Sequence, residues 1–244
     1  MLEKKKKEFL YLQFQELNDL NFVKHIFTTR IGWTKENYKE ELSKLFNIDT
    51  DKIINVNQVH KTDILHIDSI NKVSAKTERR EYDGIITHLT DVLLITYHAD
   101  CVPIYFVDKY KKVVGLAHGG WKGTYGNIAG KMIDSMIEYY NSQIEDILVA
   151  IGPSIGPCCY EVGKDVSDLF IGRYENFEDI IVNRNEKIYL DLWKTNYLQL
   201  KEKGVPKENI ILANMCTSCN VNKLYSYRKE KGTDKRMIAG IALV

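Results

Sequence analysis

The sequence predicts an α/β (α+β) fold in a single domain, residues 1–244, with a mixed β-sheet core and helices packed on its faces. Three observations carry this expectation. Apolar runs rich in β-branched residues, bounded by turn signals, recur between residues 85 and 117. From Ile128 to Tyr140 the apolar residues switch to helical spacing. Strand and helix patterns then mix without a strict βαβ rhythm, an internal repeat or a linker. With 244 residues, the chain is long enough to bury a sizeable core.

In chain order, residues 1–30 read as one or two strands leading into Phe27-Thr28-Thr29-Arg30, since Leu12 and Phe14 alternate with Tyr11, Gln13 and Gln15. The lysine run Lys4–Lys7 reads as a solvated tail. After a break at Gly32-Trp33, Lys35–Phe46 reads as a helix with Tyr38, Leu42, Leu45 and Phe46 on one face and Thr34 as N-cap. Ile53–Val59 reads as a strand ending at His60, with Asp63–Asp68 as its hairpin partner and the polar stretch 69–81 as an exposed loop. Asp83-Gly84 is a turn signal before the strand Ile85–Thr87. Strands follow at Val92–Tyr97, Val102–Val107 and Val113–Ala117, then the helix from Ile128 and a buried strand Ile147–Ile151. Two Gly-Pro steps fix the loop from Gly152 to Gly163. Short helices at Asp165–Phe170 and Asp191–Lys203 flank a strand at Lys187–Leu190. Strands Ile210–Ala213, Leu224–Arg228 and Met237–Leu243 complete the chain.

Composition narrows the function classes. A formal net charge of +1, with 44% hydrophobic and 27% charged residues, gives no reason to expect nucleic acid or a membrane surface as partner. No apolar run is long enough to span a bilayer, and the N-terminal lysines precede no signal-peptide core, so a cytoplasmic protein is expected. Five cysteines, an odd number, argue against a disulfide framework. Cys158-Cys159 and the C-x-x-C pair Cys216/Cys219 read as small buried hydrophobes in preference to a structural zinc site.

The chemistry centres on His60, Cys101 and His118, each just past the end of an apolar strand. If those strands are neighbours, one thiolate and two imidazoles meet in one cleft. Zinc accepts such a set and keeps a fourth position for water. The same atoms serve a metal-free alternative, with Cys101 as nucleophile, His118 as base and Asp100 orienting the imidazole. The run His118-Gly119-Gly120-Trp121-Lys122-Gly123 precedes a helix. Its glycines admit close backbone approach and Lys122 adds charge, which suits an anion. Arg30 and Arg228 end apolar strands and suit phosphate or carboxylate. His98, three residues before Cys101, reads as structural.

Six strings in order carry a family resemblance: Asn57-Gln58-Val59-His60, Asp83-Gly84, Ala99-Asp100-Cys101-Val102-Pro103, Ala117-His118-Gly119-Gly120-Trp121-Lys122-Gly123, Ile151-Gly152-Pro153-Ser154-Ile155-Gly156 with Cys159-Tyr160-Glu161-Val162-Gly163, and Ser226-Tyr227-Arg228. From about Phe27 onward the chain resembles the bacterial family variously called polyphenol oxidase (laccase domain) proteins, purine nucleoside phosphorylases and peptidoglycan editing factor. The resemblance implies a layered fold grouped with cysteine hydrolases, and a catalytic zinc on His60, Cys101 and His118. It implies phosphorolysis of adenosine, inosine and S-methyl-5'-thioadenosine, with adenosine deaminase activity. Gly120, Lys122, Arg30 and Arg228 are then the candidates for phosphate and substrate contacts. The chain departs from the family where Lys122 stands for arginine, Gly119 for alanine and Lys235-Arg236 for Gly-Arg. The expected partners are a purine nucleoside and phosphate, for a monomer or homodimer. Copper on the same residues, giving a phenol oxidase, and a metal-free hydrolase or amidase acting on cell-wall precursors are the competing expectations. Six histidines are too few for a multicopper array.

Overall fold

The computed structural model describes residues 1–69, 81–177 and 179–244. Its frame is two six-stranded mixed sheets lying face to face, with helices on both outer faces. The first sheet runs in the order β1 (Leu2–Lys6), β2 (Phe9–Gln13), β3 (Val23–Thr28), β15 (Met237–Leu243), β7 (Leu93–His98), β4 (Ile53–Ile54). The second runs β14 (Ile210–Leu212), β10 (Ile147–Ile151), β8 (Val102–Asp108), β9 (Val113–Gly119), β6 (Gly84–Thr87), β5 (Ile64–Ile67). A small antiparallel sheet joins β11 (Glu161–Val162), β13 (Lys187–Leu190) and β12 (Ile181–Arg184). The helices are α1 (Gln15–Asn18), α2 (Tyr38–Phe46), α3 (Trp121–Tyr125), α4 (Ile128–Tyr140), α5 (Lys164–Arg173) and α6 (Leu192–Glu202).

Period-two side-chain alternation builds the layers. In β8, Tyr105 and Val107 point between the two sheets, while Ile104 and Phe106 point to the helical layer. In β7, Leu94 faces the other sheet, and Leu93 and Ile95 face α2. Because both faces of these strands are covered, their sequences read as nearly unbroken apolar runs. The helix α4 packs on the outer face of the second sheet through Met132, Ile133 and Met136. Asn127 caps its N-terminus by accepting from the Gly130 N–H, and Asn141 ends it in the left-handed conformation.

The expected mixed-sheet α/β arrangement is the one observed, with the core between two sheets as well as under the helices. Several local expectations are corrected. Lys4–Lys6 are not a loose tail; they lie in β1, which pairs antiparallel with β2 as an exposed, lysine-bearing edge. Three strands and a short helix occupy residues 1–30. The helix expected from Lys35 begins at Tyr38, with Asn37 as N-cap and Thr34 exchanging hydrogen bonds with it. Ile53–Val59 is a strand only over Ile53–Ile54, and β5 pairs parallel with β6 and not in a hairpin with β4. Beyond Ile54, the Gln58 side chain takes over the ladder: its amide donates to the Tyr97 carbonyl and its oxygen accepts from the Tyr97 N–H. Leu224–Arg228 forms turns in place of a strand, closed by the Ser226 carbonyl accepting from Glu230 N–H. The exposed loop expected over 69–81 falls almost wholly outside the described residues.

Candidate metal centre and its cavity

Two strand ends and a loop deliver the three side chains. β7 runs into a sharp turn at Asp100 and re-enters the other sheet as β8, and Cys101 sits in that turn. His118 lies in β9, opposite Pro103 of β8. His60 lies in the segment after β4. The Cys101 Sγ and His60 Nε2 are 3.8 Å apart, and the His60 and His118 rings meet edge-on at 4.9 Å between centroids. One ligand atom from each of the three lies within 4.8 Å of the others, so the set can hold a metal ion. His60 is exposed, Cys101 half-buried and His118 buried, so the cluster faces outward from the protein interior.

Asp83 holds the arrangement together. Its buried carboxylate accepts from His118 Nδ1 at 2.8 Å and from the backbone N–H groups of Val59, His60 and Lys61 at 3.2, 3.1 and 2.7 Å. Burial opposes its charge, but the His118 bond and these N–H groups hold its carboxyl below the usual range. One side chain therefore fixes the His118 ring, leaves Nε2 for the cluster, and grips the loop presenting His60. This is the carboxylate–histidine pairing that orients metal ligands. The sequence reading of Asp83 as a turn signal missed this role, and Asp100 does not orient the imidazole. Asp100 instead accepts from Thr217 Oγ1 at 2.5 Å and from Arg228 N–H at 2.7 Å. His60 and Asp100 both sit at positive φ (61° and 91°), a strained conformation held by these anchors.

The electrostatics favour a thiolate. Burial alone would raise the Cys101 thiol, but the charge of His118 and hydrogen bonds from both histidines bring it down to about 6. Burial would lower His118, yet Cys101 and Asp83 raise it to about 9. His98 lies directly behind, its Nδ1 at 3.0 Å from the Cys101 carbonyl and its Nε2 at 2.7 Å from Thr96 Oγ1. Burial and the neighbouring His118 charge keep it neutral. It does not line the cavity and so braces the Cys101 backbone.

Gly120 has a steric role. A Cβ there would lie 2.8 Å from His60 Cδ2 and 3.2 Å from Cys101 Sγ, so a side chain would displace the cluster. The other proposed anion contacts separate. Lys122 is exposed, lies over Trp121 and does not line the cavity. Arg30 is also outside it, donating to the Val221 carbonyl and pairing with Glu230. Arg228 does line it, braced on the Glu161 carbonyl and 5.2 Å over the Tyr160 ring.

The cavity has a volume of about 810 Å³, room for a molecule of nucleoside size with an anion. The three candidate ligands line it together. Tyr97, Trp121, Tyr160 and Tyr227 supply aromatic walls, and Arg236 joins Arg228 as a second guanidinium. None of the four aromatics was assigned to the site from the sequence, and Arg236 stood out there only as part of a departure from a motif. Tyr97 on β7 and Trp121 at the start of α3 lie close in sequence to Cys101 and His118, whereas Tyr160, Tyr227 and Arg236 come from segments remote from the cluster.

A layered α/β frame carrying a two-histidine, one-cysteine set on the wall of a small-molecule cavity defines a candidate metal-dependent enzyme. The comparisons supply the family: residues 25–244 match the profile of the multi-copper polyphenol oxidoreductase laccase family, and the chain belongs to it. The purine nucleoside phosphorylase YlmD of Geobacillus stearothermophilus is 36% identical over 211 residues, covering 84% of this chain and 77% of the relative. A purine nucleoside phosphorylase of Borreliella burgdorferi is 34% identical over 225 residues, covering 90% and 91%. The crystal structure of the hypothetical protein YfiH of Bacillus licheniformis superimposes with a TM-score of 0.86 over 99% of both chains, at 27% identity. Among the described residues no helix is long and apolar enough to cross a membrane.

Proposed function

We propose that this chain is a zinc-dependent purine nucleoside phosphorylase acting on adenosine, inosine and S-methyl-5'-thioadenosine with phosphate, with adenosine deaminase as a side activity. The observation that carries the reading is the convergence of His60, Cys101 and His118 beside a cavity containing both aromatic walls and guanidinium groups. The names of the relatives supply the substrate class.

The donor set suits zinc: two imidazoles and a thiol of lowered pKa, with the carboxylate of Asp83 behind one imidazole. Bound there, zinc supplies Lewis-acid polarisation and an acidified water. The chain's own residues do the rest. Trp121 and the tyrosines offer flat apolar faces for a purine. Arg228 and Arg236 offer charged donors suited to phosphate, in place of the Arg30 and Lys122 of the sequence reading. Asp83 keeps the His118 Nδ1 proton in place, so that Nε2 remains the coordinating atom.

A second reading has one specific observation in its favour. Cys101, His118 and Asp83 form a thiol–imidazole–carboxylate line, the arrangement of a metal-free cysteine hydrolase or amidase. His60 beside the thiol favours the metal. Copper oxidation of phenols is disfavoured because, among the described residues, only one group combines histidines with a cysteine, and a multicopper array needs several. The test is phosphorolysis of inosine by chain stripped of metal and then given zinc or copper. Zinc-dependent release of hypoxanthine and ribose 1-phosphate supports the proposal. Hydrolytic activity on an amide substrate that survives chelation supports the second reading.

A further inference from the structure

The five cysteines divide into one and four. Apart from Cys101, the remaining four converge at the ends of two neighbouring strands, although 57 residues separate Cys159 from Cys216. β10 and β14 pair in parallel, so the loops that follow them leave the sheet at the same edge. Backbone hydrogen bonds then tie those loops together: Ser154 N–H donates to the Met215 carbonyl and Thr217 N–H to the Ser154 carbonyl. Cys158 and Cys159 lie in a tight turn closed by N–H bonds from Cys159 and Tyr160 to the Gly156 carbonyl. Cys216 and Cys219 lie in a second turn, closed by the Asn220 N–H and side chain on the Cys216 carbonyl.

All four sulfurs lie within 4.8 Å of one another. Cys219 Sγ is 3.6 Å from Cys158 Sγ and 3.5 Å from Cys159 Sγ. With zinc–sulfur bonds of about 2.3 Å, the edge of a tetrahedral tetrathiolate is about 3.8 Å. These separations are close to that edge and too long for a disulfide of about 2.05 Å. Cys219 is also about equally close to two thiols, so no single pair is selected for oxidation. The Gly156 N–H donates to Cys216 Sγ at 3.3 Å, the kind of backbone donor that supports a metal-bound thiolate. Arg184 adds a positive charge beside the loop, bonded to the carbonyls of Pro157 and Cys158.

We propose that Cys158, Cys159, Cys216 and Cys219 form a second metal site, a structural zinc held by four thiolates. On binding, each S–H gives its proton to solvent and each sulfur forms one bond to the ion, so coordination is closed and no position remains for substrate. The site clamps two loops that build the cavity. Tyr160, the residue after Cys159, lines the cavity, and Thr217, inside the C-x-x-C turn, holds the Asp100 carboxylate next to Cys101. The clamp is independent of the proposed reaction, because its ligands are separate from His60, Cys101 and His118.

The test strips the whole chain of metal under reducing conditions and titrates it with zinc alone. The expected uptake is two equivalents, falling to one in Cys219→Ser and to one in Cys101→Ser. Cobalt added to Cys101→Ser should give the intense charge-transfer absorption of a tetrathiolate. Native alkylation read by mass spectrometry keeps the test independent of whether Cys219→Ser folds. In the unaltered chain the exposed Cys158 and Cys219 should be protected by zinc and react once it is chelated. Two equivalents retained by a folded Cys219→Ser, or equal alkylation with and without zinc, would overturn the proposal.

Discussion

The two thiol clusters differ in donors and in surroundings. His60, Cys101 and His118 offer three donors beside a cavity of about 810 Å³, whereas Cys158, Cys159, Cys216 and Cys219 offer four sulfurs knotted between two turns. A mixed set of three leaves a coordination position open, and four thiols fill a tetrahedron. The first cluster also has a carboxylate behind its histidine, and the second has a backbone N–H on its sulfur. The proposed roles, chemistry for the first cluster and support for the second, follow this difference, and it can be broken at either end.

The largest effect is expected from Cys101→Ala. Phosphorolysis should fall to background, and one zinc equivalent should be lost while the four-cysteine site still fills. Elemental analysis and the inosine assay on one preparation read both. Asp83→Asn comes next. It keeps the shape but loses the charge that fixes the His118 proton, and zinc affinity at the first cluster should drop ~10- to 100-fold, measured by competition with a chelating dye. The second cluster should be unaffected.

Acid–base behaviour separates the clusters further. In metal-stripped chain, burial opposes the charged forms of Cys101 and His118, and their mutual attraction overcomes it, giving about 6 for the thiol and about 9 for the imidazole. The lowered thiol is ionised above about 6, and the raised imidazole stays protonated until about 9, so both charges coexist between those values. Alkylation of Cys101 should therefore rise through pH 6 and be complete by neutrality, and His118→Ala should move the midpoint upward by removing the principal cation. Zinc binding near neutral pH should release a proton from His118 but little from Cys101, a quantity calorimetry in buffers of different ionisation enthalpy can measure.

The smallest effects concern phosphate. Arg228→Ala is expected to raise the phosphate KM by about tenfold, in line with the loss of one charge-assisted contact. Lys122→Ala should change it less than about twofold, because Lys122 is exposed and outside the cavity. Equal effects in the two variants would return the anion site to the glycine loop.

Elements with strong apolar patterns were legible in the sequence. β10 and β15, buried along their whole length, fall where their unbroken apolar runs place them, and α4 falls where its apolar stripe places it. β4 was overextended because Gln58 carries the strand's hydrogen bonds on its side chain, which leaves the apolar alternation intact while the backbone departs from the ladder. Cys101 and His118 were legible from residue type at strand ends, and His60 from residue type alone, since the strand expected before it stops at Ile54. Asp83 was not, because its partners lie 22 to 35 residues away and only the pairing of β6 with β9 brings His118 to it. Cys158, Cys159 and Cys219 were misread as buried hydrophobes. Only Cys216 is buried, and the parallel pairing of β10 with β14 that gathers them has no local signature.

Zinc on the His60–Cys101–His118 cluster is proposed to be what phosphorolysis depends on. Metal-stripped chain should be titrated with zinc while ribose 1-phosphate formation from inosine and phosphate is followed. Activity is expected to be absent without metal and to rise with occupancy of the first cluster, in the natural chain and not in Cys101→Ala. Full phosphorolysis by Cys101→Ala, or by chain free of zinc, would mean that the reaction does not depend on zinc at this cluster.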